Sequence, residues 1–416
     1  MTVTSAAPNV FDAGLPTFDY SFTATPQDIF DDLRAAQSRA PIAIGPLGPE
    51  ILSYDLGREM LRDNRFRLPP GITLAAQGIT SGPLFDKLAN SLLGLEGAPH
   101  TRLRKLVSKA FTPRSTARLN DTIHSVVNEL VDRVVEHGRC DIVTDIARPY
   151  PTPIMCALLG APRADWHLFV DWTEEVFKAF NFQADVTFDE SEIMRAWGEL
   201  DAYVDGMVVT RRGELTDDLL SELIRAESEG ERLNADELRM LVAGFLMAGT
   251  DTTRNQLAAS VQVLCEHPDQ WAKLRDHPEL AMQAVEESMR HSPAVCIAPR
   301  AATEDTEFGG YLFPAGTFVL VNTLAANRDP AIYDDADRFD ITRNDVPAIL
   351  TFGGGAHYCL GANLARRELA EALVVLTRRL PTARRIGPAP WKSVLGMTGP
   401  TTLPVEFVRE GVPADA

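Results

Sequence analysis

Long apolar runs are missing from this chain. Nowhere do some 18 uninterrupted apolar residues occur, so no segment reads as a membrane-crossing helix. The opening Met1-Thr2-Val3-Thr4-Ser5-Ala6-Ala7-Pro8 also lacks the basic start and apolar run of a signal peptide. Cysteine is scarce. Cys140, Cys156, Cys265, Cys296 and Cys359 are scattered without paired spacing, which argues against a disulfide framework or a zinc site and for a reducing compartment. Positive charge is in deficit, with 40 basic against 58 acidic residues and a net charge of −18. That balance disfavours a general role on nucleic acid or an anionic membrane. Repeats and low-complexity tracts are absent as well. These absences leave a soluble cytoplasmic protein without a membrane anchor as the expectation.

What is present is enough apolar residue, 45% against 24% charged, for a sizeable core. The 416 residues allow several domains or one large one. From about Leu103 to Leu264 the pattern is helical, with breaks at Pro113, Pro149 to Pro153, Pro162 and Gly230. Strand-like runs lie at Pro41 to Tyr54, around Gly45-Pro46-Leu47-Gly48-Pro49, and at Phe308 to Val321 and Leu403 to Phe407. The economical reading is a single, mainly α domain over 1–416 with a minor β-sheet region, its ends at 1–20 and 410–416 loosely ordered.

The stretch Phe352-Gly353-Gly354-Gly355-Ala356-His357-Tyr358-Cys359-Leu360-Gly361 places one cysteine at the end of a glycine-rich loop where a helix begins. Glycines reach backbone conformations closed to other residues, and a helix N-terminus presents unpaired N–H groups and partial positive charge. Both favour a charged sulfur. Leu364, Leu369, Leu373, Leu376 and Leu380 mark the helix as an apolar stripe ending at Pro381, with Cys359 in its first turn. Taken alone, an ordinary turn before a buried cysteine is the commoner explanation.

The longest expected helix starts at Asn234, with Glu237 at the capping-box position, and runs to His267-Pro268. Roughly 32 residues at about 1.5 Å each make a spine of about 48 Å. Near its middle, Ala248-Gly249-Thr250-Asp251-Thr252-Thr253 combines residues below alanine in helix propensity. Threonine hydroxyls compete there for backbone carbonyls and open a kink or groove. The alternative is a packing seam in which Asp251 pairs with Arg254 one turn on.

Two charged patterns complete the set. Glu287-Ser288-Met289-Arg290 sets acid and base at i and i+3, with Asp337-Arg338-Phe339 further on; alone, such a pair belongs on the surface. His100-Thr101-Arg102-Leu103-Arg104-Lys105 continues to Lys109. In a helix, His100 and Arg104 share one face while Arg102, Lys105 and Lys109 share another, which reads equally as a solvated basic face.

The Phe-Gly-x-Gly-x-His-x-Cys-x-Gly pattern of Phe352 to Gly361 resembles the haem-binding loop of the cytochrome P450 family at every specified position. The acid–alcohol helix, Glu-x-x-Arg, Ala326-Asn327-Arg328-Asp329-Pro330 and the Cys loop follow in family order, and the resemblance spans about residue 20 to residue 408. It implies the family's fold, with one haem b (iron protoporphyrin IX) per chain between the central helix and the Cys-loop helix. Cys359 would be the axial iron ligand, its donation moderated by nearby amides. His100, Arg104, Arg300 and His357 would serve the haem propionates, and Ala248, Phe352 and Gly361 would touch the cofactor. Thr252 would hold the oxygen and its water by hydrogen bonds while Asp251 relays protons from solvent. Glu287, Arg290 and Arg338 would form a buried network locking the meander before the thiolate loop. Two departures stand out. Glu96-Gly97-Ala98-Pro99-His100 lacks the acidic-Pro-Pro form common before this His, and Pro293 to Arg300 is longer than usual, which unsettles pocket alignments.

The resemblance further implies a monooxygenase that inserts one atom of O2 into an apolar organic substrate. In soluble bacterial members, electrons come from a ferredoxin and its NAD(P)H-fed ferredoxin reductase. The Arg102, Lys105 and Lys109 face, joined by Arg366 and Arg367, offers an acidic ferredoxin a dock. The pocket set is Gly244, Met247, Ala248, Val295, Cys296, Ile297, Met397 and Thr398, mainly apolar, beneath a lid of Leu74, Leu84, Leu92, Phe177, Phe180 and Phe182. For these phenylalanines core packing is the equal alternative. A peroxide-driven peroxygenase and a non-catalytic haem sensor are the competing functions. Members known for the first replace the acid–alcohol pair, which this chain keeps, and the second needs neither that pair nor a docking face.

Overall fold

The computed structural model describes residues 7–180, 189–228 and 233–408. Helix makes up 54% of it, with small sheets, as a mainly α reading requires. The largest sheet runs in the order Ile42–Gly45, Gly48–Ile51, Phe318–Asn322, Ile297–Ala302 and Phe66–Arg67. Its first hairpin is the one expected around Pro46, with Ile42 opposite Ile51 and Gly45 opposite Gly48. Gly48 lies at φ +129°, where a Cβ would stand 2.8 Å from Phe318 O, so the turn closes against the neighbouring strand only with glycine. Ile297–Ala302 escapes the sequence reading because Pro299 has no N–H for a ladder and Arg300 breaks the apolar pattern. It nevertheless lies between two strands, Pro299 opposite Leu320 and Arg300 opposite Val319. Smaller sheets join Arg139–Asp141, Pro404–Glu406 and Arg384–Arg385, and Thr306–Phe308 with Tyr311–Phe313.

The expected loose arm is a correction. Asn9 bridges Leu312 and Thr17 bridges Ile44. The Tyr20 hydroxyl donates to buried Glu50, which also accepts from Asn322 Nδ2, both at 2.8 Å. Helix Pro26–Gln37 follows, opened by a Thr25/Asp28 capping box that the sequence reading passed over. Residues 1–6 and the tail from 410 lie outside the described residues.

The spine begins as expected. Asn234 accepts from the Glu237 amide at 2.9 Å, and Glu237 accepts from the Asn234 amide at 3.1 Å. It is not one helix, however, but Ala235–Ala248 and Asp251–Glu266 with a break at Gly249-Thr250. A Cβ on Gly249 would stand 2.4 Å from Met155 Sδ, so the break is where helix Pro151–Leu159 presses closest. The Thr250 hydroxyl donates back to Leu246 O and Met247 O, at 3.1 and 3.0 Å, the competition that weakens helices at threonine. The second half packs against the Cys-loop helix Ala362–Arg379 and helix Ala281–His291, and two buried glutamines on it reach partners outside the helix. Gln256 accepts from Ala294 N–H at 2.9 Å and donates to Ser292 O at 3.1 Å. Gln262 accepts from Trp391 Nε1 at 2.9 Å.

Below the spine, Arg290 is 1% exposed and forks onto Glu287 at 2.7 and 2.9 Å. It also donates to the carbonyls of Asn327, Ala336 and Arg338, at 3.2, 2.6 and 3.0 Å. The second arginine of the network is Arg343, 3.4 Å from Glu287, and not Arg338. Arg338 turns outward, its side chain 59% exposed and paired with Asp335 and Asp340. The cause is local: Asp335 sits at φ +50°, and the turn it makes aims the Arg338 carbonyl, rather than its guanidinium, at Arg290. Arg290→Ala should therefore cost about 3–5 kcal/mol, since it leaves Glu287 and three carbonyls without this donor. Arg343→Ala should destabilise in the same direction, and Arg338→Ala should stay within about 0.5 kcal/mol. Urea unfolding of the three variants checks the ranking.

Candidate active site

The Cys loop is shaped by where its glycines lie. Gly353 and Gly355 adopt φ +70° and +64°, and a Cβ on Gly355 would stand 2.4 Å from Leu61 O. The loop thus lies flush on the chain at Leu61. Cys359 N–H donates to Phe352 O at 2.9 Å, closing the loop on itself. The following helix has Gly361 as its N-cap and starts at Ala362, so Cys359 precedes the first turn instead of occupying it. Cys359 is exposed, whereas Cys156, Cys265 and Cys296 are buried and Cys140 is half-buried. Burial pushes those four thiols up to about 12. Desolvation raises Cys359 too, against the opposing pull of the Gly361 amide, Arg104 and Arg366. A metal bound to this sulfur would favour its deprotonated form, in the same direction as the amide and the two arginines.

Beside the thiol stands a group of cations. His100 is 3% exposed, its ring 4.4 Å from that of His357, and its Nε2 has no partner. Burial first, then His357 and Arg104, lowers its pKa to about 4. His357 Nε2 meets Glu96 Oε1 at 2.9 Å. Arg300, 5% exposed, donates among the described residues only to the adjacent Pro299 O, and burial, opposed by the Glu96 charge, brings its pKa down to about 10. Arg104 donates to Tyr358 O, and Arg366 stacks 4.4 Å over the Phe352 ring while pairing with Glu286. His100, Arg300 and His357 line a cavity of about 300 Å³ with Leu61 and Phe66. An unpartnered imidazole and a buried guanidinium fit an anionic guest. A haem, with two carboxylates at one edge and an iron needing an axial sulfur, meets both requirements.

On the opposite side, Ala248 is exposed and the Thr252 hydroxyl donates to its carbonyl at 3.1 Å. Asp251 is buried, ion-paired with Arg254, and accepts from Asn255 Nδ2 at 3.1 Å. Arg254 also pairs with Glu174, which accepts from Arg148 Nε at 2.7 Å. The packing seam that the sequence left as an alternative is thus formed, with Thr252 beside it.

A family model described as Cytochrome P450 matches residues 83–381. The chain belongs to the cytochrome P450 family. It is 37% identical to luteothin monooxygenase of Streptomyces thioluteus, over 95% of this chain and 97% of that one. It is 38% identical to mycinamicin IV hydroxylase/epoxidase of Micromonospora griseorubida, over 86% and 90% respectively. The crystal structure of CalO2 superposes with a TM-score of 0.87 at 30% identity, covering 94% of this chain and 100% of that one. The protein is a P450 monooxygenase, a family whose cofactor is haem iron. Among the described residues no helix is long and apolar enough to cross a membrane.

The P450 pocket is only partly the set expected. Val295 and Met397 are joined by a β-bridge, Gly244 is half-buried, and Met247 and Ile297 are each 7% exposed. Cys296 is fully buried among Leu52, Leu320 and the residues under helix Pro26–Gln37, so it belongs to a core and not to a pocket wall. Thr398 is sealed likewise, its hydroxyl donating to Lys392 O at 2.8 Å. Leu74 and Leu84 are buried in the main core, Leu92 packs on it, and Phe177 stacks 5.3 Å from Phe180. Core packing, the equal alternative for the phenylalanines, describes what the described residues of this set do here. Phe182 lies outside the described residues. Glu96, Asn255 and Lys392 were missed. Asn255 had a signal, its i+4 spacing from Asp251, whereas Lys392 had none, its partner lying far off in sequence.

The glycines separate loop geometry from cofactor contact. Gly355→Ala places a Cβ against Leu61 O at positive φ and should destabilise the haem-free protein by more than about 1 kcal/mol. At Gly361 a Cβ meets nothing within 4 Å, so Gly361→Ala should stay within about 0.5 kcal/mol. Urea unfolding of the two haem-free variants makes the comparison.

Proposed function

We propose that residues 1–416 form one domain holding one haem b, with Cys359 as its sole protein ligand to iron. The P450 then inserts one atom of O2 into an apolar, uncharged organic substrate in the cytoplasm, with electrons from a ferredoxin and its reductase. The observation that carries this reading is an exposed cysteine set beside a buried imidazole with an unpartnered nitrogen and a buried guanidinium with no ion pair among the described residues. When bound, haem supplies the iron at which dioxygen is activated. His100, Arg104 and Arg300 hold the propionates, and Glu96 orients His357 among them. Thr252 releases Ala248 O to hydrogen-bond oxygen. Asp251 turns from Arg254 to carry protons from solvent, while Glu174, held by Arg148, keeps Arg254 paired. The apolar substrate class is supported by Met247, Ala248, Val295 and Met397, a set with no charged member. Its relatives are named for different compounds, luteothin and mycinamicin IV, so membership of the family leaves the compound open.

With carbon monoxide, the reduced protein should show the red-shifted Soret band of thiolate ligation, and Cys359→Ala should lose it while alanine at the other four cysteines does not. Asp251→Asn should slow turnover by at least about 10²-fold. Thr252→Ala should keep consuming reductant while diverting oxygen to hydrogen peroxide. A band that survives Cys359→Ala, or unchanged turnover and coupling in both distal variants, would overturn the assignment.

Docking charge is redistributed relative to the expectation. Arg102 pairs with Glu237, Arg366 with Glu286, and Arg367 donates to Asn120 at 2.9 Å. Exposed Lys105 and Lys109 are thus the main steering charges for an acidic ferredoxin. Ferredoxin-driven reduction should slow with rising ionic strength and with Lys105→Glu or Lys109→Glu. Reduction that ignores salt would remove the acidic-partner reading.

A further inference from the structure

Asp251 is held through two neighbours on its own helix. Arg254 forms an ion pair with it, and Asn255 Nδ2 donates to its Oδ2 at 3.1 Å and to its backbone oxygen at 2.8 Å. The other end of that amide, Asn255 Oδ1, accepts from Lys392 Nζ at 2.8 Å. An ammonium can only donate, whereas a side-chain amide can present either end. Lys392 therefore reinforces from the other side the amide orientation that the two Asp251 oxygens select. The oxygen goes to the lysine and the nitrogen to the carboxylate. Without the ammonium, the buried Asn255 Oδ1 loses this donor, and the amide is held against Asp251 from one side only.

The late turn places Lys392 for this task. Lys392 N–H donates to Gly399 O at 2.9 Å and its carbonyl accepts from Thr398 at 2.8 Å. Gly399, at φ +153°, lets the turn lie on the spine, since a Cβ there would stand 3.1 Å from Asn255 O. Burial lowers the pKa of the amine, and the Asp251 charge raises it again. Within the same turn, Met397 bridges to Val295, both members of the proposed pocket set. One short loop thus touches both the pocket and the support of the acid.

We propose that Lys392 is a positioning residue for proton delivery. It orients Asn255, Asn255 holds the Asp251 carboxylate, and the loop that carries Lys392 ties that carboxylate to the pocket wall at Met397. The proposal rests on Asp251 being the proton carrier.

Lys392→Met, Lys392→Arg, Asp251→Asn and the Asp251→Asn/Lys392→Met double variant, all haem-loaded, provide the test. The carbon monoxide spectrum first shows that each keeps its fold and thiolate. Oxygen-dependent NADH oxidation is then measured with a plant-type ferredoxin and reductase, no organic substrate added, in H2O and in D2O. Lys392→Met should slow it at least about fivefold and raise the solvent isotope effect, as Asp251→Asn does. Lys392→Arg, again donor-only, should return to within about twofold of wild type. The double variant should be no slower than Asp251→Asn alone, and the urea midpoints of the four-way set should be non-additive. An effect of Asp251→Asn with none of Lys392→Met, failed rescue by arginine, or additive losses would overturn the role of Lys392 alone. An Asp251→Asn variant with unchanged rate and isotope effect would overturn the proton-carrier reading and this proposal with it.

Discussion

A helix crossing the middle of a protein satisfies its own backbone except where it breaks, and the arrangement above the Cys loop follows from one break. At Gly249-Thr250 the chain has lost its regular ladder, and the carbonyls of Leu246, Met247 and Ala248 are met by threonine hydroxyls. The position of Thr252 is thus set by a backbone need as well as by any chemistry it performs. Asp251, immediately after the break, opens the second half of the spine, where the partial positive charge of a helix N-terminus favours a carboxylate. Glycine at 249 is demanded by Met155, so the site of the break was decided by packing from below.

The second half of the spine then acts as a rail to which the rest is pinned. Asn255 meets Lys392, Gln256 meets Ser292 and Ala294, and Gln262 meets Trp391. Each of these buried polar groups holds one irregular segment, and those segments carry Val295 and Met397. Satisfied buried polar groups fix position more tightly than apolar contact, because a shift leaves an unpaired donor or acceptor behind. Arg290 does the same work for the meander, gathering Glu287 and three carbonyls around one guanidinium.

What could be seen in sequence was what depends on local chemistry. The glycine spacing around Cys359, the Asn234 capping box and the hairpin at Pro46 are short-range patterns, and each formed where expected. Long-range choices were hidden. Arg338 and Arg343 stand in the same meander, and only the turn at Asp335 decides which guanidinium reaches Glu287. Residues 7–20 carry little periodicity, and their order comes from bridges to strands that follow much later. Cys296 was read as a pocket residue by its place after Glu-x-x-Arg, yet the neighbouring helix and sheet enclose it.

Charge decides how such a site can be used. In a chain of net −18, Arg300 is buried with no ion pair among the described residues, a costly arrangement unless an anion comes to it, and beside it burial lowers the His100 pKa to about 4. The cost falls at one end only. Around Met247, Ala248, Val295 and Met397 no cation lines the wall, and the nearest acid, Asp251, is already neutralised by Arg254. In the proposed binding mode, a guest with carboxylates along one edge would turn that edge toward Arg300 and His100. The same asymmetry works on the thiol. Desolvation raises the Cys359 pKa while the Gly361 amide, Arg104 and Arg366 pull it down, and a metal sharing the sulfur would add to that downward pull.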